Sequence, residues 1–238
     1  MSDLRRFFID KISEEVIIEG EEFRHAVSVL RIREGEDVIL LDNSGLEYFA
    51  KISSITKKSL IAKVYDKRAS ENEPKTNVVL VAGYLKGDKT ELVVQKAVEL
   101  GVNKIIVFSS EFSSAYINEN KLLRLNKVSQ EASKQCKRAT SPEVVYKEDF
   151  ISALNAVNDC ENKLFACEFA SENKADFSSL KGSTAIVVGS EGGFSTKESE
   201  LALKNGFTTV YLGKRILRAE TACIALTAIV MHSLKELE

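Results

Sequence analysis

Two glycine-bearing loops in the last third of the sequence carry side chains that could bind a ligand and do chemistry. The first, the glycine loop, reads Gly-Ser-Glu-Gly-Gly-Phe over 189–194. The second, the arginine loop, reads Leu-Gly-Lys-Arg-Ile-Leu-Arg-Ala-Glu-Thr-Ala over 212–222 and contains Arg215, Arg218 and Glu220. Glycines let a ligand approach the backbone closely, and the charged side chains can stabilise charge or move a proton. One such loop could be a simple turn, but two together favour a cofactor and substrate site.

Neither loop matches a phosphate-binding fingerprint. A dinucleotide-binding unit carries G-x-G-x-x-G after its first strand, whereas the first strand of the α/β series is followed by Gly-Tyr-Leu-Lys-Gly-Asp over 83–88. The glycine loop is not a P-loop, because the terminal Gly-Lys-Ser/Thr is missing. Glu191 would also repel a pyrophosphate, whereas a cationic or zwitterionic cofactor tolerates it. This chemistry favours a sulfonium cofactor whose adenine is recognised by backbone amides and carbonyls.

Both loops follow short apolar segments, over 184–188 and 208–212, that indicate buried strands. In a mostly parallel sheet the two loops emerge at the same carboxyl edge, where open α/β sheets bind their ligands. Ser195 followed by Glu198 predicts a capping box, so a helix should begin directly after the glycines. From Asn77 onward strands alternate with helices, which predicts an α/β domain with a mostly parallel sheet.

The first part of the chain has a different pattern. It is rich in short apolar segments bounded by turn residues, which are typical of strands. These segments are 7–9, 16–18, 38–41, 47–55 and 60–65. One helix is predicted over about 20–30. The polar stretch 71–76 contains Pro74 and indicates a linker. The predicted division is therefore a small β-barrel-like domain over 1–70, a linker over 71–76 and the α/β domain over 77–238.

Five arginines lie within the first part of this β-rich domain, interleaved with acidic residues. They are Arg5, Arg6, Arg24, Arg31 and Arg33. A solvated and partly ion-paired surface explains this charge pattern. A patch that contacts RNA phosphates explains it as well, and the pattern alone leaves both interpretations open.

Overall charge and cysteine spacing narrow the class of protein. The chain has 33 Lys and Arg against 35 Asp and Glu, a net charge of −2, so any RNA-binding surface must be local. The four cysteines show neither C-x-x-C nor Cys/His metal spacing, which favours reduced thiols and no metal centre. No apolar segment is long enough for a signal peptide or a membrane span. These features predict a cytoplasmic protein without a membrane partner.

The two loops together resemble the signature of the RsmE family, which are bacterial 16S ribosomal RNA uracil-N3 methyltransferases of the SPOUT class. The arginine loop is the specific part of that signature. Shorter motifs extend the resemblance over nearly the whole chain. They are Arg-Arg-Phe-Phe over 5–8, His25, Val-Leu-Arg over 29–31 with Gly35, Lys-Ala-Val-Glu-Leu-Gly over 96–101, and Glu131-Ala132 with Gln135 and Arg138.

The resemblance implies an N-terminal PUA-like RNA-binding β-barrel and a C-terminal SPOUT domain that contains a deep trefoil knot. It also implies S-adenosyl-L-methionine as the cofactor, 16S rRNA or the assembled small ribosomal subunit as the substrate, and a homodimer with its active site near the subunit interface. The arginines at 5, 6, 24, 31, 33 and 138 would then bind RNA.

The resemblance further assigns roles in the two loops. Arg218 and Glu220 would be catalytic, facing the methyl group and the target base, although an ion pair at the start of the last helix would also explain them. The cofactor would be surrounded by Gly189, Glu191, Gly192, Gly193, Leu212, Gly213, Ile216 and Leu217.

Two positions depart from the family pattern. Ser190 stands where the family usually has proline, and Phe112 lies where it usually has an arginine nearby, which bears on one RNA contact. Two other functions stay open. The first is a SPOUT enzyme that acts on tRNA or on a ribose 2′-oxygen, against which the N-terminal barrel and the arginine loop argue. The second is a non-catalytic RNA-binding module that has the same fold.

Overall fold

The computed structural model describes residues 4–113, 116–167 and 175–237. The chain divides into two compact units. Unit 1 consists of Met1–Glu73 and Ser133–Ser141, and unit 2 consists of Pro74–Ala132 and Pro142–Glu238. This division differs from the predicted domains in two respects. Ser133–Ser141 belongs with the N-terminal unit, and the predicted linker 71–76 is divided between the two units.

Unit 1 is built on a five-stranded sheet whose strands lie close to the predicted positions. The strands are β1 (Arg5–Phe8), β2 (Glu15–Glu19), β3 (Asp37–Leu41), β4 (Leu46–Ile55) and β5 (Ser59–Ala69). Their order is β1-β3-β4-β5-β2. Only β1 and β3 pair in parallel; the other described pairs are antiparallel.

The sheet of unit 1 is curled around an apolar core. Its longest pair, β4 and β5, contains two register shifts, and such bulges bend a strand and increase its twist. Along β2, buried Val16 and Ile18 alternate with exposed residues, so one face of the sheet covers the core. The core includes Phe7, Val38, Leu40, Ile52 and Leu60. The PUA-like fold of this unit is therefore confirmed as a curled sheet whose described edges are β1 and β2.

The helix predicted over 20–30 changes type halfway. Gly20–Arg24 (α1) is α-helical, and His25–Val29 continues as one π-helical turn. The N–H of Leu30 donates to the carbonyl of His25, five residues earlier, at 3.1 Å. Arg31 follows with φ 54°, in the left-handed region that non-glycine residues rarely adopt. Both π turns and such backbone strain are frequent at functional sites.

Glu73 holds the segment Ser133–Ser141 in unit 1. Its carboxylate accepts hydrogen bonds from the guanidinium of Arg138 at 3.1 and 3.2 Å, and from the amides of Ala139 and Thr140 at 2.6 and 3.0 Å. Ala139 is fully buried and packs against three apolar residues, Phe8, Ile39 and Leu41. Glu73, which lies in the predicted linker, therefore binds a segment that is distant in the sequence.

Unit 2 contains a six-stranded sheet in which every pair is parallel, as predicted. The strands are β6 (Val78–Gly83), β7 (Lys104–Phe108), β8 (Glu143–Lys147), β9 (Asn162–Ala166), β10 (Thr184–Val188) and β11 (Thr208–Val210). Their order is β11-β9-β10-β6-β7-β8. All residues of β6 and β10 are buried, as expected for central strands covered on both faces. Strand β8 was not predicted, because it lies at the edge and is mostly half-buried.

Five α-helices accompany this sheet in the described part of the unit. They are α2 (Lys89–Glu99), α3 (Glu119–Gln135), α4 (Phe150–Asn155), α5 (Thr196–Lys204) and α6 (Ala219–Ser233). Helix α6 packs against α2, β6 and β10, whereas α4 packs against β7, β8 and α5. The α/β class is therefore confirmed, and the trefoil knot that the resemblance implies stays a prediction. Within the described ranges, no helix has the length and apolar character needed to cross a membrane.

Candidate active site

A cavity of about 600 Å³ lies at the carboxyl ends of β9, β10 and β11 in unit 2. These three strands are neighbours and run in parallel, so the loops after β10 and β11 leave the sheet at the same edge. Cys167, which follows β9, also lines the cavity. The volume lies within the range of small-molecule sites, roughly 300–1,000 Å³. The predicted meeting of the two loops is confirmed.

The glycine loop forms a tight turn at one side of this cavity. The N–H of Gly193 donates to the carbonyl of Ser190 at 2.9 Å, and Gly193 has φ +69°, which favours glycine. A Cβ at Gly189 would lie within 3.2 Å of the Gly193 backbone, so the turn closes on itself too tightly for most side chains. The loop therefore presents mainly backbone groups to a ligand.

The capping box predicted behind this turn is confirmed. Ser195 Oγ accepts from the N–H of Glu198 at 3.2 Å, and Glu198 Oε2 accepts from the N–H of Ser195 at 2.9 Å. The second carboxylate oxygen of Glu198 accepts from the N–H of Glu111 at 3.0 Å, in the loop after β7. Helix α5 therefore begins at Thr196 and is attached to a neighbouring loop at the same edge.

Glu191 is held by Lys86, which precedes α2, and by Lys89, the first residue of α2. Its Oε1 accepts from the backbone N–H of Lys86 and from Nζ of Lys89, both at 3.1 Å. Partial burial alone would raise the pKa of Glu191. Hydrogen bonds from its own amide, from Lys86 and from Lys89, together with the charge of Lys89, hold the pKa below its ordinary value. Glu191 therefore supplies a negative charge beside the cavity at neutral pH.

The arginine loop closes the other side of the cavity and leads into α6. Arg218 occupies the position before the helix, with extended backbone, and its side chain is exposed at the cavity. The Glu220 side chain is 12% exposed, and its Oε2 lies 3.8 Å from Nζ of Lys89. That oxygen is buried and has no hydrogen-bond partner among the described residues. The described ion pair of Glu220 is thus with Lys89 rather than with Arg218.

Comparison with known proteins agrees with this geometry. Residues 71–231 match the family model of an RNA methyltransferase domain, and residues 18–65 match that of an RNA methyltransferase PUA domain. The ribosomal RNA small subunit methyltransferase E of Bacillus subtilis is 32% identical, over 95% of this chain and 96% of its own. The protein of that name from Mesomycoplasma hyopneumoniae is also 32% identical, over 93% and 96%. This chain belongs to that methyltransferase E family.

A solved structure extends the comparison to three dimensions. The family member from Neisseria gonorrhoeae, crystallised with S-adenosyl methionine, matches with a TM-score of 0.86 and 28% identity, covering 97% of this chain and 98% of that one. A predicted RNA methyltransferase from Thermotoga maritima matches with a TM-score of 0.76 and 31% identity, covering 98% and 100%. The two-unit architecture is thus that of a known RNA methyltransferase family.

The structure brings the predicted cofactor residues of this methyltransferase together. All eight line the cavity: Gly189, Glu191, Gly192, Gly193, Leu212, Gly213, Ile216 and Leu217. Ile216 does so while 81% exposed. Of the two predicted catalytic residues, Arg218 lines the cavity directly, and Glu220 lies behind it, next to Lys89.

Lys89 is a site residue that the sequence interpretation missed. It lines the cavity and contacts both Glu191 and Glu220. Its sequence signal is that it is the first residue of α2, where the helix dipole disfavours a cation. A lysine in that position, directly after the glycine-containing stretch 83–88, could have been singled out.

The six arginines predicted to bind RNA fall into two groups in this methyltransferase. Arg6 is paired with Glu47 at 2.8 Å with 8% of its side chain exposed, and Arg138 is paired with Glu73 with 3% exposed. These two stabilise unit 1 and are not retained as phosphate contacts, because buried ion pairs do not present charge to a ligand. The exposed members are Arg5, Arg24, Arg31 and Arg33.

Within the described residues, no group of three or more His, Cys, Asp or Glu side chains is arranged to hold a metal ion. The four cysteines are free. Burial, together with the negative charge of Glu220, raises the pKa of the Cys223 thiol on α6 to about 12. That thiol is therefore protonated and unreactive at neutral pH.

Proposed function

We propose that this protein transfers the methyl group of S-adenosyl-L-methionine to N3 of one uridine in 16S rRNA of the small ribosomal subunit. The observation that carries the proposal is the cavity at the carboxyl edge of β9, β10 and β11, where the glycine loop and the arginine loop meet. The cofactor in the Neisseria gonorrhoeae structure and the names of the relatives support the cofactor and the substrate.

The residues present fit that cofactor. The cavity of about 600 Å³ is large enough for it, and the glycines expose amides and carbonyls that can recognise adenine. Glu191, whose pKa is held low, gives a negative charge that suits a sulfonium. When bound, S-adenosylmethionine supplies an electrophilic methyl group. The glycine loop, Leu212, Gly213, Ile216 and Leu217 would hold it.

Arg218 and Glu220 would act on the uracil. The N3 proton must leave and negative charge must develop on the imide before N3 can attack carbon. Arg218 is always cationic and exposed at the cavity, so it can stabilise that charge. We assign the departing proton to Oε2 of Glu220, which lies behind the cavity beside Lys89 and has no hydrogen-bond partner among the described residues. In-line displacement at carbon also requires accurate positioning, which supplies much of the rate.

Unit 1 would bind the RNA through a local basic surface. Arg5, Arg24, Arg31 and Arg33 are exposed there, whereas the whole chain has a net charge of −2. Contacts from arginine to phosphate position RNA without reading its sequence. The protein would work in the cytoplasm as a homodimer, for which exposed apolar residues of unit 2, including Tyr211 and Ile229, are available.

Replacement of Arg218 with alanine separates chemistry from cofactor binding. We expect Arg218→Ala to lower methyl transfer to small ribosomal subunits by at least about 100-fold, since it removes the cation that stabilises the developing charge. The affinity for S-adenosylmethionine, measured by calorimetry, should change little. Lys197→Ala on α5, exposed and outside the cavity, serves as the control. Equal loss of transfer and cofactor affinity in Arg218→Ala would contradict the assigned role.

A further inference from the structure

Phe112 is a half-exposed aromatic side chain beside the cavity. Its ring has no described aromatic partner, and the residue is 50% exposed. A Cβ added at Gly192 would lie 2.6 Å from the Cβ of Phe112, so only glycine allows this approach. Gly192 lines the cavity, so Phe112 lies against one residue of the cavity lining without lining the cavity itself.

The loop that carries Phe112 is fixed to the glycine loop by polar contacts. The hydroxyls of Ser110 and Ser190 are 3.0 Å apart, and both residues are buried. Ser113 Oγ accepts from the N–H of Ser110 at 2.8 Å, which closes the turn. Together with the bond from the Glu111 amide to Glu198, these contacts hold the chain on both sides of Phe112. The fold therefore positions the backbone that carries the exposed ring.

Ser190 and Phe112, the two departures that the resemblance implies, belong to one local arrangement in this chain. The Ser190 hydroxyl contacts the Ser110 hydroxyl, which a proline at position 190 could not do, and Ser110 lies two residues before Phe112.

We propose that Phe112 is a stacking platform for the nucleobase that leaves the RNA stack at the target site. The inference rests on the proposed function. An enzyme that modifies a base must take it out of its stack and hold it. An exposed aromatic face binds any nucleobase by stacking, which contributes affinity and position but little sequence selectivity. Phe112 offers such a face next to the cavity, and it carries no charge, so its contribution does not depend on salt.

Substitutions at Phe112 test this in methyl transfer. Phe112→Ala should raise KM for small ribosomal subunits roughly 10-fold, the size of one lost stacking contact, and Phe112→Tyr should stay near wild type. Cofactor affinity, measured by calorimetry, should be the same in all three proteins. A Phe112→Ala protein with unchanged KM overturns the proposal. The proposal is also overturned if the KM of Phe112→Ala rises only because its dimer dissociates, as measured by sedimentation.

A second measurement reports stacking without methyl transfer. The sequence contains no tryptophan, so Phe112→Trp introduces a single fluorescent reporter. A short oligouridylate should quench it, because a base stacked on indole quenches its emission. Ile151→Trp on α4 is the control, since Ile151 is 54% exposed and lies outside the cavity lining. Equal quenching of both reporters, or none at position 112, would exclude stacking there.

The two readouts separate this inference from the function on which it rests. Specific quenching at position 112 in a protein without transferase activity would support the platform and reject the proposed reaction. If the protein transfers methyl groups but substitutions at Phe112 change neither KM nor quenching, only the stacking platform would be rejected.

Discussion

At the scale of single residues, Lys89 connects the two carboxylates of the proposed site. Its Nζ lies 3.1 Å from Glu191 on the glycine loop and 3.8 Å from Glu220 on α6. The Lys89 side chain is 36% exposed, and pairs of that kind contribute about 0–1 kcal/mol to folding. Its position at the start of α2 is moreover unfavourable for a cation. A contribution to folding stability therefore does not explain why a lysine occupies position 89. Its contacts with the carboxylates of Glu191 and Glu220, which position both groups, do explain it.

We expect Lys89→Met to reduce kcat/KM for methyl transfer by roughly 10- to 100-fold, because misplaced catalytic groups cost rates of that order. Loss of the ammonium also removes an influence that lowers the pKa of Glu191, so that pKa should rise. Carbon-13 NMR of the glutamate carboxyls measures this shift in the free protein, and steady-state kinetics measure the rate.

Lys96→Met provides a matched control for that change. Lys96 lies on the same helix, is also 36% exposed, and pairs with Glu99 at 2.9 Å, but it does not line the cavity. Both variants should unfold within about 1 kcal/mol of wild type. Equal kinetic effects of the two variants would show that Lys89 has no particular role.

At the scale of elements, the site depends on one close approach between strand and loop. Gly83 ends β6, and a Cβ at this position would lie 2.4 Å from the backbone nitrogen of Ser190. The clash would be with backbone atoms of Gly189 and Ser190, so no change of side-chain rotamer can relieve it. The glycine at the end of β6 therefore sets where the glycine loop lies.

Gly83→Ala should accordingly destabilise the protein by about 2–3 kcal/mol and displace the glycine loop, since overpacking costs of this size are usual. Urea unfolding measures the first effect, and calorimetry with S-adenosylmethionine measures the second. Gly87, in the next loop, has φ +62° but open space around the position of a Cβ. Gly87→Ala should therefore lower the free energy of unfolding by only about 1–2 kcal/mol. A Gly83→Ala protein as stable as wild type with unchanged cofactor affinity would contradict the account.

Local sequence patterns predicted the elements well where the signal itself is local. The strand β2, the capping box of Ser195 and Glu198, and the parallel strands before the two loops were all expected and are found. Pairings between distant segments were not predicted. Glu73 lies in the predicted linker, yet it binds Arg138 across 65 positions, and no periodicity near either residue signals this contact.

In the candidate site, too, the residues with a local sequence signal were predicted, and contacts between distant elements were not. The two loops predicted the cavity residues, because glycines and charged side chains follow buried strands in a parallel sheet. Lys89 was missed, since its role depends on where α2 lies beside α6. Likewise, the burial of Arg6 against Glu47 could not be read from a charge pattern that also fits an exposed basic patch.

At the scale of the whole molecule, the chain combines a curled PUA-like unit that exposes four of the predicted arginines with a parallel α/β unit that contains the cavity. The net charge of −2 makes general attraction to nucleic acid weak, so recognition must come from local contacts. The chain belongs to a family whose members are named as methyltransferases of small-subunit rRNA.

Primer extension on small-subunit rRNA tests the central claim most directly. Unmodified assembled subunits would be incubated with the protein and S-adenosylmethionine, with Arg218→Ala as the inactive control. A methyl group on uracil N3 blocks Watson–Crick pairing, so one new stop, at a single uridine of the 16S rRNA, is expected. The absence of any new stop, in a protein that binds the cofactor, would contradict it and would favour a tRNA or ribose substrate.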